Sequence, residues 1–452
     1  MLLQKLASLL TEDQIGSYQH KLKYLQNKTL PIVYPHSIEQ LAEVLLLANK
    51  EKLMVLPIGG GTKLKIGNPP AKADFFLSTK KLNQILIHES ADLTTTVQAG
   101  TTFADFQNCL NQHNQYLPLD PPFAKQATVG GVIVTNSYGP TRLANGTIKD
   151  WLIGIKVVGA DGSISKAGGK VVKNVAGYDL MKLYTGSFGT LAIIVEASFK
   201  LRPKPLDKAI ILGEFTSSNL AVAINNLLSS QLQPIALELL NQQIAKLYFP
   251  QIQIKENHSL LIAQFAGSTN AIKYQQETLS TFWKNLTKEI ITIYQSDKDY
   301  LSWQKLVDFA EEPNIFGQFQ VAVLPSQVLG LVSEITKTLN LVTKDYYLLV
   351  QPGKGTIQGF FDQNFINNFI INDLDNLDET TAYKLGELVA ALSQIRNFTE
   401  KIGGHLILMD DAFIGLLDTW GTPPASVMLM KTIKNKLDPL NILNPGRFVG
   451  GI

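Results

Sequence analysis

The 452-residue sequence holds one cysteine, Cys109. A lone thiol excludes an intrachain disulfide, and it cannot supply the set of thiolates that an iron–sulfur cluster needs. Among Phe103, Phe106 and Leu110 it reads as a small buried apolar side chain. An excess of charge of one sign is also missing. With 40 basic and 38 acidic residues the net charge is +2, which offers no electrostatic reason to expect nucleic acid or an anionic membrane as the main partner. No window approaches the ~20 consecutive apolar residues of a membrane span. The opening MLLQKLASLLTEDQIG soon meets Glu12 and Asp13, so it lacks the apolar region and cleavage site of a secretory leader and reads as a short amphipathic helix. Cytoplasmic location is the expectation, with peripheral attachment at the inner membrane as the alternative.

What is present is ordinary globular material: 45% hydrophobic and 17% charged residues, with 33 Gly and 20 Pro. The length exceeds what one core usually organises, and two folding units are the working count. A short helical segment at 1–29 precedes a glycine-dense stretch at 30–206. Within that stretch, Leu30 to Tyr34 reads as a strand and Ser37 as the cap of a helix carrying Leu41, Val44, Leu45 and Ala48. Leu53 to Ile58, Phe75 to Leu77 and Leu93 to Val97 read as further strands, and Phe103 to Asn111 as a second helix. Ile153 to Val158 and Ser163 to Lys166 flank Gly159-Ala160-Asp161-Gly162, a tight hairpin turn. Leu191 to Leu201 closes the stretch at Arg202-Pro203-Lys204-Pro205, where a linker begins. From 207 to 424 strands alternate with helices without the dense glycines, in the manner of an α/β cap-like domain. The tail, 425–452, is a helix to Leu437, stopped by Asp438-Pro439. The class is α+β.

Three glycine-bearing segments carry the chemistry. In Pro57-Ile58-Gly59-Gly60-Gly61-Thr62, at a strand end, bare backbone lets successive amides converge on an anion, and the Thr62 hydroxyl adds a donor. The second segment holds Ala127-Thr128-Val129-Gly130-Gly131, then Asn136, Gly139-Pro140, Arg142 and Gly146. Two such loops suit the two ends of a dinucleotide. Neither is a GxGxxG opening a long helix, and Gly186-Ser187-Phe188-Gly189-Thr190 lacks the lysine of a phosphate-binding P-loop. The third segment runs from Gly168 through KVVKNVAGYDL to Gly189-Thr190-Leu191.

Read together, LPLDPP, TVGG, KNVAGYDL, GSFGTLAIIVEASFKLRPKP and the closing LDPLNILNPGRF resemble the PCMH-type FAD-binding proteins of the vanillyl-alcohol oxidase superfamily. Within it they are similar to the E-subunit branch of bacterial glycolate oxidases (glycolate dehydrogenases). The resemblance is continuous over residues 30 to 205. It implies two α+β subdomains clasping FAD, with cofactor contacts at Gly59, Gly60, Gly61, Thr62, Thr128, Gly130, Gly131, Gly189, Thr190 and Ile194, and weaker ones at Asn136 and Gly139. Some members hold flavin covalently on a histidine beside the first glycine loop. Here that loop reads GGGTKL and the next histidine along the chain is His88, so non-covalent FAD is expected.

Related dehydrogenases of D-2-hydroxy acids use a metal-linked histidine and glutamate set in the C-terminal domain. This sequence has only His258 and His405 there, and no metal is expected. His405, in Gly403-Gly404-His405, is a weak candidate base. Arg447, after Asn444-Pro445-Gly446, is either a cation at the flavin edge or a salt bridge anchoring the tail. Trp283, Trp303 and Trp420 either line a flavin pocket or fill the core. The E-type resemblance implies oxidation of glycolate to glyoxylate in a complex with a D-type flavoprotein and an F-type iron–sulfur subunit. The alternatives are a self-sufficient FAD dehydrogenase of another 2-hydroxy acid or alcohol, with His405 or a tyrosine as base, and a scaffold that binds FAD without turning over.

Overall fold

The computed structural model describes the chain except for residues 1, 19–21, 23–24, 26–27, 170–177, 289, 298–299, 313 and 367–378. The KNVAG part of the third glycine segment therefore lies outside the described residues. The chain divides into two compact units. The first comprises Met1–Tyr138, Thr147–Lys204 and Thr422–Ile452; the second comprises Gly139–Gly146 and Pro205–Gly421.

In the first unit, a four-stranded sheet runs in the order Ile15–Ser17, Pro31–Val33, Phe75–Ser78, Val55–Ile58. Its last two pairings are parallel. The helix Ile38–Glu51 connects two of these strands and buries Ile38, Leu41, Val44, Leu45 and Ala48, the face that the 3.6-residue spacing defines. Ser37 caps it by accepting from the Gln40 amide at 3.1 Å. A five-stranded antiparallel sheet follows, in the order Ile85–Glu89, Thr94–Gln98, Ile193–Lys200, Leu152–Val158, Ile164–Gly168. Its hairpin turns at Gly159–Gly162, where Gly162 has a φ of 79°.

The helix Phe103–Asn111 occupies the span that its pattern predicts, capped by Thr102. Phe103, Phe106 and Leu110 are buried. Cys109 corrects the expectation of a buried thiol, since it is only half-buried. Three residues on from Phe106 it flanks the apolar stripe without belonging to it.

The α+β class holds across the chain. In the second unit, strands and helices alternate along the sequence, and every pairing in its eight-stranded sheet is antiparallel. The order is Ile290–Tyr294, Asp207–Thr216, His258–Gly267, Ala236–Leu240, Tyr346–Gln351, Thr356–Asp362, Ile315–Ala322, His405–Leu408. Two apolar layers sandwich the sheet. One includes Phe215, Trp283, Phe319 and Phe361, and the other includes Phe249, Trp303, Phe309 and Phe360. Trp283 and Trp303 are thus core residues of this unit. Trp283 is fully buried, edge-on against Phe215 at 5.0 Å, with its indole N–H donating to the Ala223 carbonyl. Trp420 is half-buried.

Candidate FAD-binding cleft

The strand Val55–Ile58 ends in Gly59-Gly60-Gly61-Thr62, which forms one wall of a cleft of about 650 Å³ in the first unit. Thr128, Gly131, Thr135, Phe188, Asn444 and Arg447 also line it. A second hollow, of about 1270 Å³, shares Gly59, Gly60, Gly61 and Thr62 with the first. The glycine loop is therefore open to space on more than one side.

Among the described residues, none of the amides of Gly59, Gly60, Gly61 and Thr62 donates to a backbone carbonyl. Backbone amides are seldom left without acceptors, so four in succession beside a threonine hydroxyl and Lys63 form a donor-rich concavity suited to phosphate oxygens. The second glycine stretch behaves differently. The amides of Val129 and Gly130 donate to the Thr101 and Ala99 carbonyls, at 2.9 and 2.8 Å. The Gly131 amide donates to Thr128 Oγ1 at 3.2 Å, capping the short helix Val129–Thr135. Here a bare backbone serves close packing. A Cβ on Gly60 would lie 1.8 Å from the Gln126 carbonyl oxygen, and one on Gly130 would lie 2.8 Å from Ala99 Cβ. The two loops are in direct contact.

The residues named from the sequence divide accordingly. Gly59, Gly60, Gly61, Thr62, Thr128 and Gly131 come together around the cleft. Gly130 is buried behind it. Asn136 ends the short helix in the left-handed region at φ 46°, with its Oδ1 buried and unpartnered. Gly139 falls in the second unit. Thr190 is buried, its hydroxyl donating to the Ser187 carbonyl at 2.7 Å, and Ile194 is a core residue of the central strand. Ser187 Oγ and Thr101 Oγ1 are buried without hydrogen-bond partners on segments bordering the same loops.

Arg447 lines the cleft. It is buried, and its guanidinium donates to the Leu64 carbonyl at 2.6 Å and to the Ile66 carbonyl. It anchors the tail through neutral oxygens and brings a cation to the cleft wall. Phe188 and Lys63 are wall residues that the sequence reading did not single out. Phe188 sits at φ 52°, a region that bulky residues rarely occupy. No sequence pattern announces that conformation. Lys63 lies over the Phe123 ring, 5.0 Å from its centroid.

These walls suit the pyrophosphate of a dinucleotide: amides that engage no backbone carbonyl, a hydroxyl, and the cationic side chains of Lys63 and Arg447. His88 is tied elsewhere, 2.8 Å from Gln115 Oε1 and edge-on against His113.

The acid–base candidates lie in the second unit. His405 opens the edge strand His405–Leu408 opposite Ala322, and desolvation alone holds its pKa below the ordinary histidine value. Its side chain nonetheless reaches solvent. No neighbouring charge acts on the ring to orient it. Tyr248 and Tyr347 donate to Glu312 and Asp362, at 2.5 and 2.6 Å. Burial, reinforced by these carboxylates, pushes both phenols well above their usual range, so they are donors and not bases. Among the described residues there is no group of three or more His, Cys, Asp or Glu placed to hold a metal ion.

Residues 30–168 match the family described as FAD binding domain, and residues 421–448 match the C-terminal domain of FAD linked oxidases. Both stretches are those of FAD-linked oxidoreductases. FAD is the cofactor of this family. A glycolate oxidase subunit GlcD of Bacillus subtilis is 25% identical over 443 residues, covering 93% of this chain and 90% of that protein. A D-2-hydroxyglutarate dehydrogenase of Stutzerimonas stutzeri is 25% identical over 452 residues, covering 96% and 94%. A D-lactate dehydrogenase of Archaeoglobus fulgidus is 32% identical over 216 residues, 48% of each chain. Among solved structures, a 4-ethylphenol oxidase from Gulosibacter chungangensis superposes with a TM-score of 0.73 over 98% of this chain and 96% of its own, at 13% identity, a likeness of fold.

Proposed function

We propose that this chain binds FAD non-covalently in the Gly59–Thr62 cleft and serves the oxidation of a 2-hydroxy acid, as the E-type FAD-binding subunit of a glycolate dehydrogenase complex. The observation that carries the cofactor assignment is the run of four amides, Gly59 to Thr62, that engage no backbone carbonyl and face open space. The substrate class draws on the relatives that act on glycolate, D-lactate and D-2-hydroxyglutarate, two of them alike over more than nine-tenths of this chain.

On this reading the first unit is the FAD-binding domain and the second, residues 205–421 with Gly139–Gly146, is the cap-like domain. Bound FAD supplies the hydride acceptor: a 2-hydroxy acid loses hydride from its carbinol carbon and a proton from its hydroxyl, leaving a 2-oxo acid. The chain's residues hold and orient. The Gly59–Thr62 amides and Lys63 balance phosphate charge, and Arg447 fixes the tail against the first glycine loop. His405 lacks an orienting partner, and the described tyrosines bound to carboxylates are locked as donors, which favours an accessory subunit over a self-sufficient dehydrogenase. Electrons leaving the flavin would pass to an iron–sulfur partner or a diffusible acceptor, since Cys109 cannot hold a cluster.

Anaerobic addition of glycolate, D-lactate or D-2-hydroxyglutarate to the purified yellow chain tests the assignment. An accessory subunit keeps its colour alone and bleaches with glycolate only once D-type and F-type partners are added. Bleaching of the isolated chain would place the substrate site within it and overturn the E-type role. A flavin that stays oxidised in a complex turning over would mark a scaffold.

A further inference from the structure

The C-terminal segment carries a buried ion pair that none of the chemistry above uses. Lys434 and Asp438 stand one helical turn apart at the end of the helix Val427–Leu437, with side-chain exposures of 4% and 0%. All three ammonium protons are engaged: Lys434 Nζ donates to Asp438 Oδ2 at 2.6 Å, to the Thr190 carbonyl at 2.8 Å and to the Leu443 carbonyl at 2.9 Å. Asp438 in turn accepts from the amides of Ile442 and Leu443, at 3.0 and 2.8 Å. Desolvation lowers the Lys434 pKa while Asp438 opposes that shift, as expected of a charge kept buried by its partner.

A buried ion pair is a poor source of net stability, because the desolvation of two charges offsets their attraction, whereas its directional bonds specify geometry. The segments it joins border the cleft. Thr190 ends the turn Gly186–Thr190, which carries Phe188 in its strained left-handed conformation on the cleft wall. Asn444 donates to the Phe188 carbonyl at 2.6 Å, and Phe448 stacks on the Phe188 ring at 5.4 Å. Leu443 bridges to Val55 on the strand that runs into the first glycine loop. Strain of this kind persists only where surrounding contacts over-determine it: here the Phe188 amide donates to the Val134 carbonyl at 2.8 Å, and the tail adds Asn444 and Phe448.

We propose that Lys434 and Asp438 are positioning residues for FAD: the pair clamps the Phe188 turn and the Leu443–Arg447 tail against the first glycine loop, setting the shape of the cleft. This rests on the assignment of FAD to that cleft.

The test compares FAD binding to apoprotein, followed by flavin fluorescence and visible circular dichroism, in wild type, in the apolar pair Lys434→Met/Asp438→Leu and in the neutral polar pair Lys434→Gln/Asp438→Asn. The apolar pair is expected to melt within a few degrees of wild type while binding FAD roughly ten- to a hundredfold more weakly, the scale of a lost positioning contact. Its flavin dichroism band should change, a readout that a purely structural role would leave alone. The polar pair, which keeps part of the hydrogen bonding, should recover some of that affinity. Wild-type affinity and dichroism in a folded apolar pair would overturn the proposal. If the apolar pair does not fold, the polar pair decides, and wild-type binding by it would overturn the proposal equally. Wild-type apoprotein that takes up no FAD would remove the cleft assignment itself, before any variant is compared.

Discussion

Within the cleft, glycines that look alike in the sequence do different work. A side chain at Gly60 would strike the Gln126 carbonyl whether or not a ligand is bound, so substitutions there report on loop packing. Gly131 is the better probe. Its added Cβ would meet only Thr128 Oγ1, at 3.2 Å, and would point toward the cleft. Gly131→Ala should fold and retain FAD, whereas Gly131→Glu should fold and release it, because a carboxylate is placed against phosphate. Flavin content per folded chain checks both, and full flavin in the Glu variant would move the cofactor elsewhere. His405 yields a second expectation. Its desolvated ring binds a proton less readily folded than unfolded, so the folded midpoint lies below the ordinary histidine value of 6.5. Between that midpoint and 6.5 the unfolded state holds more protons, and stability contributed at this site rises with pH. An NMR titration of the His405 ring with a midpoint above 6.5 would contradict this.

At the scale of elements, the C-terminal tail holds the cleft together. Lys434→Met alone would leave Asp438 as a buried charge without its partner, and the chain should lose about 3–5 kcal/mol, measured by chemical denaturation. A loss below about 1 kcal/mol, the surface-pair scale, would mean that the pair is solvated in solution. Much of this architecture was legible in the sequence. Ser37 announced its helix because capping is local chemistry, and Asp161-Gly162 announced its hairpin for the same reason. The glycine-rich strand end was legible as a loop following a strand. The reading went astray where the decisive partner was distant in the chain. The amides of Val129 and Gly130 looked available and are taken by Thr101 and Ala99. Phe188 gave no sign of its role because its partners are distant in the chain: its amide donates to the Val134 carbonyl and its carbonyl accepts from Asn444, 256 residues away. Cys109 looked buried because its neighbours are, yet it lies beside their stripe.

Across the whole molecule, two compact units are drawn from interleaved stretches of chain, with the tail belonging to the first and Gly139–Gly146 to the second. Such interleaving could not be read from composition, which shifts only at the Pro-Lys-Pro linker. No described helix is long and apolar enough to cross a membrane. On the proposed reading, the single thiol leaves the electrons of a bound flavin to a carrier other than a cluster in this chain. The central claim is that the FAD site is the Gly59–Thr62 cleft of this chain. The most direct measurement is the absorption spectrum of the chain purified alone, followed by acid release and chromatographic identification of what it held. A yellow protein that releases intact FAD, with no flavin left on the polypeptide, is the predicted result. A folded, colourless protein that refuses added FAD would contradict the account, and flavin retained after denaturation would contradict its non-covalent form.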